Sequence, residues 1–263
     1  MTGVQRALSH RWKVAARPFT VWARDDVRLV GSRLGAHGVE APAIVLAHGL
    51  MGWHRKPRFA RFAEALVAEG FAVYGFDFRG HGGSEGVCDY GGAEIEDVDA
   101  VVRLARGDGH AEIATCGLSM GGIAAVRHAG LKGGVDAVVV ISSLAYWGWR
   151  DRAAPTAARA MRARIGTPPG RAALRAWGTR LPDTWIAPES PEEVVGRISP
   201  ASVVIFHGRN DALFGEDHAM RLFAAARDPR RLFMSESFGH AEEGVSDAFA
   251  RKVADVLREE VAR

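Results

Sequence analysis

A short apolar run, Ile113-Ala114-Thr115-Cys116, passes into Gly117-Leu118-Ser119-Met120-Gly121 and then into the small residues Gly122-Ile123-Ala124-Ala125-Val126. This order predicts a strand, a sharp turn carrying Ser119, and a helix. Such a turn holds the serine in a strained backbone conformation, and Gly117 and Gly121 keep side chains out of the space where strand and helix cross. Ser119 then stands exposed with its hydroxyl above the helix N-terminus, placed to act as a nucleophile. Gly-x-Ser-x-Gly is weak evidence by itself: with 12 serines and 31 glycines in the chain, roughly 0.17 matches are expected by accident. Two occur. The other, Gly82-Gly83-Ser84-Glu85-Gly86, lies in a glycine-dense segment with no apolar helical pattern directly behind it, so Ser84 reads as a loop residue.

The surroundings of Ser119 repeat its strand–helix alternation. The run Ala43-Ile44-Val45-Leu46-Ala47 is continuously apolar and ends in His48-Gly49, as a central strand buried on both faces does. Residues 57–69 carry Phe59, Phe62, Ala63 and Leu66 at helical spacing before Gly70, a C-cap. Strand-like 71–78, helical 94–106, strand-like 112–116, helical 119–129 and strand-like 135–141 follow. Ahead of them, 19–24 and 27–34 flank Asp25-Asp26 as an antiparallel hairpin, and 1–17 reads as a short basic helix with Val4, Leu8 and Trp12 on one face. The fold class is therefore α/β, with a mostly parallel, doubly wound sheet.

The alternation breaks between Leu144 and Ser199, where tryptophans 147, 149, 177 and 185, prolines and arginines surround alanine-rich segments. This reads as an inserted helical cap with Pro168-Pro169-Gly170 as an internal turn. It resumes with strand-like 202–207, helical 216–227, strand-like 231–235 and a closing helix over 245–263. The predicted organisation is thus a core over 1–143, a cap over 144–199 and the rest of the core over 200–263.

A chain of 263 residues with 48% hydrophobic and 25% charged content is long enough to bury a full core without staples. Two cysteines give no disulfide framework, so a reducing compartment is the default. Neither a signal peptide nor a membrane-length apolar run is read, and a cytoplasmic location is expected without membrane association. Net charge is +3, yet residues 145–181 hold eight arginines against the single acid Asp151. A solvated helical face accounts for this patch; attraction of anionic substrates or lipid head groups is the alternative. No recognition motif accompanies the charge, so nucleic acid is not an expected partner.

A serine hydroxyl needs a base, and the base needs an acid to orient it. In a doubly wound sheet both come from loops at the carboxyl ends of strands. Such an end places Asp211 in Gly208-Arg209-Asn210-Asp211, and the next places His240 after Ser237-Phe238-Gly239. The rival acids Asp136 and Asp151 precede a strand and lie in the cap, and His207 is expected to close its strand by hydrogen bonding. Two fixed donors for a developing oxyanion are expected from the backbone N–H of Met120 and from the turn after Ala47-His48-Gly49, at Leu50. His48 and Gly49 are candidate substrate-binding residues on that turn, and Trp147 and Trp149, with Trp177 and Trp185, are candidate walls of an apolar acyl site.

Together His48-Gly49, Asp77-Phe78-Arg79-Gly80-His81-Gly82-Gly83-Ser84, the turn at Ser119, His207-Gly208-Arg209-Asn210-Asp211 and Gly239-His240 resemble the α/β-hydrolase superfamily over roughly residues 19–142 and 200–263. Asp77 to Gly86 followed by Glu94-Ile95-Glu96-Asp97 is similar to its small esterase branch, which includes cinnamoyl (feruloyl) esterase-like, monoacylglycerol lipase-like and serine aminopeptidase-like members. The resemblance implies a Ser119–Asp211–His240 triad that needs no metal or cofactor, acting on a small-molecule carboxylic ester. Peptidase or amidase action, haloperoxidase-like or carbon–carbon bond hydrolysis, and a non-catalytic small-ligand receptor are the alternatives the same residues leave open. The arginine-rich cap departs from the pattern of those branches, and substrate identity rests on it.

Overall fold

The computed structural model describes residues 1–36, 38–147 and 156–261. Its strands are β1 (Ala16–Trp22), β2 (Arg28–Leu34), β3 (Ala43–Ala47), β4 (Ala72–Phe76), β5 (Ile113–Leu118), β6 (Ala137–Ile141), β7 (Ser202–Gly208) and β8 (Arg230–Ser235). Its helices are α1 (Gly3–Leu8), α2 (Pro57–Ala68), α3 (Glu94–Gly107), α4 (Met120–Leu131), α5 (Thr156–Gly166), α6 (Pro168–Trp177), α7 (Pro191–Val194), α8 (Glu216–Ala225) and α9 (Asp247–Val261). The strands form one sheet in the order β1-β2-β4-β3-β5-β6-β7-β8. β1 and β2 pair antiparallel, as do β2 and β4, and all later pairs are parallel. This is the α/β-hydrolase fold.

Every residue of β3 to β7 is buried, because helices cover both faces and leave no solvent side for an alternating pattern. On one face α2 and α9 bring Phe59, Phe62, Leu66, Val253 and Leu257 against Ile44, Cys116, Val139 and Val204. On the other, α3, α4 and α8 bring Val98, Val101, Ala125 and Leu222 against Val45, Val138 and Val203. Each large side chain buried in this way contributes about 1.5–3 kcal/mol. β8, at the sheet edge, is only half-buried.

Several boundaries differ from the sequence reading. β4 stops at Phe76, although the Asp77 N–H still donates to the Val30 carbonyl of β2 at 2.9 Å while its side chain accepts the His54 N–H at 2.7 Å. The first helix ends at Leu8, where Ser9 is extended (φ −68°, ψ 131°). Its Val4 and Leu8 are exposed, while the neighbouring Gln5 is buried, so the expected apolar stripe is not its packing face. Pro168-Pro169-Gly170 is not a turn: the prolines open α6, where a missing N–H costs nothing, and the Thr167 hydroxyl accepts the Gly170 N–H at 3.3 Å. Cys88 and Cys116 are free and buried. Among the described residues no helix is long and apolar enough to cross a membrane.

Candidate active site

Ser119 sits between β5 and α4 at φ 55°, ψ −117°, a region that costs a non-glycine residue about 1–3 kcal/mol. The strand–helix crossing over-determines it. The Ser119 N–H donates to the Ile141 carbonyl at 2.9 Å, and its own carbonyl accepts the Gly122 N–H at 2.9 Å. A Cβ at Gly117 would collide with the Gly121 carbonyl, and one at Gly121 with the Ala47 carbonyl. Only glycine lets the backbones of β3, β5 and α4 approach this closely.

The loops after β7 and β8 bring two further groups to the same sheet edge. The Ser119 hydroxyl donates to His240 Nε2 at 3.0 Å, and His240 Nδ1 donates to Asp211 Oδ2 at 2.8 Å and Oδ1 at 3.0 Å. Asp211 is 7% exposed and also accepts the N–H groups of Leu213 at 2.8 Å and Phe214 at 2.9 Å. Burial pushes its carboxyl up, but the hydrogen bond and charge of His240, with those two N–H donors, hold it below its ordinary value. An ionised carboxylate only accepts, so Nδ1 carries the imidazole proton and Nε2 is left as the acceptor facing Ser119. A hydroxyl so placed can pass its proton to the imidazole as the oxygen attacks an electrophile. His207 stands beside the group, its Nε2 donating to the Phe214 carbonyl at 3.0 Å, and it braces the loop that carries Asp211. Asp136 is remote in role: its carboxylate accepts the Ile113 N–H at 2.8 Å at the start of β5. Asp151 lies outside the described residues.

Residues 49–52 form a turn closed by the Gly52 N–H donating to the Gly49 carbonyl at 2.9 Å, and a Cβ on Gly49 would lie 3.4 Å from that of Ser119. The turn therefore passes directly over the serine. Among the described residues, the N–H groups of Leu50 and Met120 have no hydrogen-bond acceptor. The Leu50 carbonyl is pinned by His81 Nε2 at 2.5 Å and the Thr179 hydroxyl at 3.2 Å. His48, 0% exposed, accepts the Phe78 N–H on Nε2 at 3.1 Å and donates from Nδ1 to the Gly49 carbonyl at 2.8 Å. Burial, with the neighbouring His81, lowers its pKa to about 3. So His48 is a neutral brace for the turn and does not reach a ligand.

A buried pair not anticipated from the sequence anchors the same turn. Asp77, fully buried, accepts the His54 N–H at 2.7 Å and His54 Nδ1–H at 2.6 Å on one oxygen, and the Gly83 N–H at 2.8 Å on the other. Burial raises this carboxyl, and His54 with the backbone donors outweighs that to hold it well below its ordinary value. Ser84, the other Gly-x-Ser-x-Gly serine, donates to the Asp77 carbonyl at 2.5 Å and accepts the Val30 N–H at 3.0 Å. It is a loop brace.

Two cavities meet at Ser119. The wider, about 390 Å³, has His240, Lys56, Arg58, Glu242 and Glu243 in its wall. The narrower, about 90 Å³, is apolar, with Ile123, Leu144, Met161, Ile165, Leu213 and Phe214 around the serine. Trp147, Trp177 and Trp185 form neither wall. Trp147 donates to the Pro188 carbonyl at 2.6 Å and meets Trp185 edge-on, and Trp177 packs edge-on against Trp53. Trp147 and Trp177 pack the segment between β6 and β7, whereas Trp185, besides meeting Trp147, also borders a separate cavity; Trp149 lies outside the described residues. The walls were missed because alanine and arginine dominate α5, although Ala158, Met161 and Ile165 fall on one helical face.

Residues 40–186 match the protein family described as serine aminopeptidase, S33. The uncharacterized protein YfhR of Escherichia coli O157:H7 is 27% identical over 259 residues, spanning 95% of this chain and 80% of its own. Among solved structures, an esterase of Pyrococcus furiosus superposes with a TM-score of 0.75 at 19% identity, covering 96% of this chain and 98% of its own. The esterase domain of a Rhodothermus marinus protein superposes with a TM-score of 0.65 at 22% identity, covering 92% and 96%.

Proposed function

The chain belongs to the serine aminopeptidase S33 family of α/β hydrolases, and from that premise we propose that this hydrolase cleaves small carboxylic esters through an acyl-enzyme on Ser119. One observation carries the reading: the unbroken relay Ser119–His240–Asp211, at 3.0 and 2.8 Å, on a strained strand–helix turn. Ser119 attacks the carbonyl as His240 takes its proton, Asp211 orients and stabilises the imidazolium, and the Leu50 and Met120 N–H groups hold the oxyanion. His240 then gives the proton to the departing alkoxide, and a water activated by His240 releases the acid. These groups account for every proton and charge that the reaction moves.

The leaving group must sit on the His240 side, because that imidazole protonates it. The wider cavity contains His240 in its wall and the narrow one does not, so the alcohol occupies the wide, polar side and the acyl group the apolar throat. This favours esters over aminoacyl amides. An aminopeptidase must hold an N-terminal ammonium next to the scissile carbonyl, and the described wall of the throat carries no carboxylate. Ser119→Ala is expected to abolish both p-nitrophenyl ester turnover and labelling by a fluorophosphonate. Retained labelling would remove Ser119 from the role.

A further inference from the structure

The apolar throat adjoins a further cavity. Tyr90 and Ile165 are shared between its wall and that of a third cavity of about 490 Å³, which also contains Arg162, Arg171 and Trp185. α5 explains how one helix serves both. Ala158, Met161, Arg162 and Ile165 are its only positions between 157 and 166 that are not exposed, and their spacing puts them on one face. Met161 and Ile165 wall the throat, and Arg162 follows them into the outer cavity. Arg159 and Arg164, on the same helix, are exposed on other faces.

Both cavity arginines are half-buried. Elsewhere this chain gives its partly buried arginines either carboxylates, as Arg79 with Asp25 and Asp97 or Arg231 with Glu259 and Glu260, or several backbone carbonyls, as Arg127 with those of Gly91, Gly92 and Glu189. Among the described residues Arg162 has no hydrogen-bonding or ionic partner, and Arg171 has only the Ile165 carbonyl at 3.4 Å. Asp183 also borders the cavity but is exposed and pairs with neither arginine. Burial raises the Tyr90 phenol while the charge of Arg171 acts to lower it, so this guanidinium stands near the wall shared with the throat. A partly desolvated guanidinium without an anion loses hydration and gains nothing for it. Two such groups, with planar forks suited to a carboxylate, in a cavity adjoining the apolar throat beside the nucleophile, make an anion site on the acyl side.

We propose that Arg162 and Arg171 form an acyl-side subsite, so that the preferred substrate is an ester whose acyl group is a short apolar stem ending in a carboxylate. This rests on the acyl-enzyme reading for the orientation of the ester. The throat of about 90 Å³ takes roughly three water-sized groups, close to the bulk of the four methylenes between the carboxyls of adipate. A partly exposed, charge-assisted contact gives on the order of 1.4 kcal/mol, about tenfold in affinity or in kcat/KM.

The test compares the mono-p-nitrophenyl ester of adipic acid with the same ester methylated at its free carboxylate. The unmodified protein should favour the anionic ester by about tenfold in kcat/KM, chiefly through KM, and the ratio should collapse to near one in Arg162→Gln/Arg171→Gln. Arg159→Gln, on an outward face of α5, should keep it. A ratio near one in the unmodified protein, a ratio the double variant leaves intact, or an equal loss in Arg159→Gln overturns the proposal. Calorimetry of monomethyl adipate on Ser119→Ala separates the subsite from the chemistry. A roughly tenfold weaker Kd on adding the two Gln substitutions supports the subsite even if no ester is hydrolysed, and an unchanged Kd defeats it even if esters are.

Discussion

Asp211→Asn tests the proton relay more sharply than removal of the serine, because it leaves shape almost untouched and reverses one proton. In the native site the Asp211 carboxylate accepts three N–H groups: Leu213 and Phe214 from the backbone and Nδ1–H of His240. Asparagine has one acceptor oxygen and one amide that only donates. The two backbone donors converge on Oδ1, so the amide oxygen stays with them and the NH₂ turns to His240 Nδ1. That nitrogen must then accept, and the imidazole proton moves to Nε2, 3.0 Å from the Ser119 oxygen. A base already protonated on the side facing its nucleophile cannot take the nucleophile's proton.

A tautomer reversal of this kind lowers kcat by on the order of 10⁴, equivalent to about 5.4 kcal/mol in the barrier. The expected outcome is a loss of that size in kcat for p-nitrophenyl butyrate with KM nearly unchanged. Nitrogen-15 NMR of the His240 ring should find the proton on Nε2, and the unfolding midpoint should move by only a few degrees, as is usual for the loss of about 1 kcal/mol in a chain of this length. A variant within tenfold of the unmodified kcat would refute the assigned relay. So would a large loss of activity with the native tautomer retained, since the mechanism would then not pass through the proton on Nε2.

The packing carries three further expectations. Gly117→Ala puts a methyl into the Gly121 carbonyl, and should cost about 1–3 kcal/mol in urea unfolding together with fluorophosphonate labelling; full stability and full labelling would mean that the close crossing is not needed. His48, whose pKa is lowered to about 3 by burial against an ordinary 6.5, stays neutral while the unfolded chain takes up a proton. Its contribution to stability is therefore complete above 6.5 and is lost as pH falls toward 3, amounting to about 1.4 kcal/mol at pH 5.5. Urea midpoints at pH 7.5 and 5.5 should differ less in His48→Gln than in the unmodified protein, and equal differences would count against the buried neutral imidazole. Met161, in the walls of both cavities beside Ser119, should set acyl length: Met161→Ala is expected to favour longer p-nitrophenyl esters, by about fourfold for each methylene newly buried, and an unchanged chain-length profile would take Met161 out of the throat.

The parts of this molecule legible in the sequence are those that local rules determine. β3 to β7 are buried along their whole length and predominantly apolar because both faces are covered, and that pattern is visible without knowing what covers them. The meeting of Ser119, Asp211 and His240 was legible for a related reason: each comes directly after a strand, parallel strands share a carboxyl edge, and the loops leaving that edge are gathered along it. Contacts with no local signature were hidden. The pairing of His54 with Asp77 joins loops after two different strands, and His48 carries no mark of the two hydrogen bonds that turn it inward. Trp147 and Trp177 misled because large aromatic area suits a ligand wall and a packing core equally well, and here packing took it.

The segment between β6 and β7 gives the candidate site its two-sidedness. His240 and Asp211 belong to the loops after β8 and β7, so the proposed proton transfer draws on the sheet edge alone. The throat instead takes Met161 and Ile165 from α5, whose inward face also carries Arg162. Substitutions on that face can change which acyl group fits without touching the relay, and those on the loops can silence the relay without changing the fit. A chain arranged in this way can change substrate by altering one helix, because Met161 and Ile165 of α5 meet the serine across the cavity they line together.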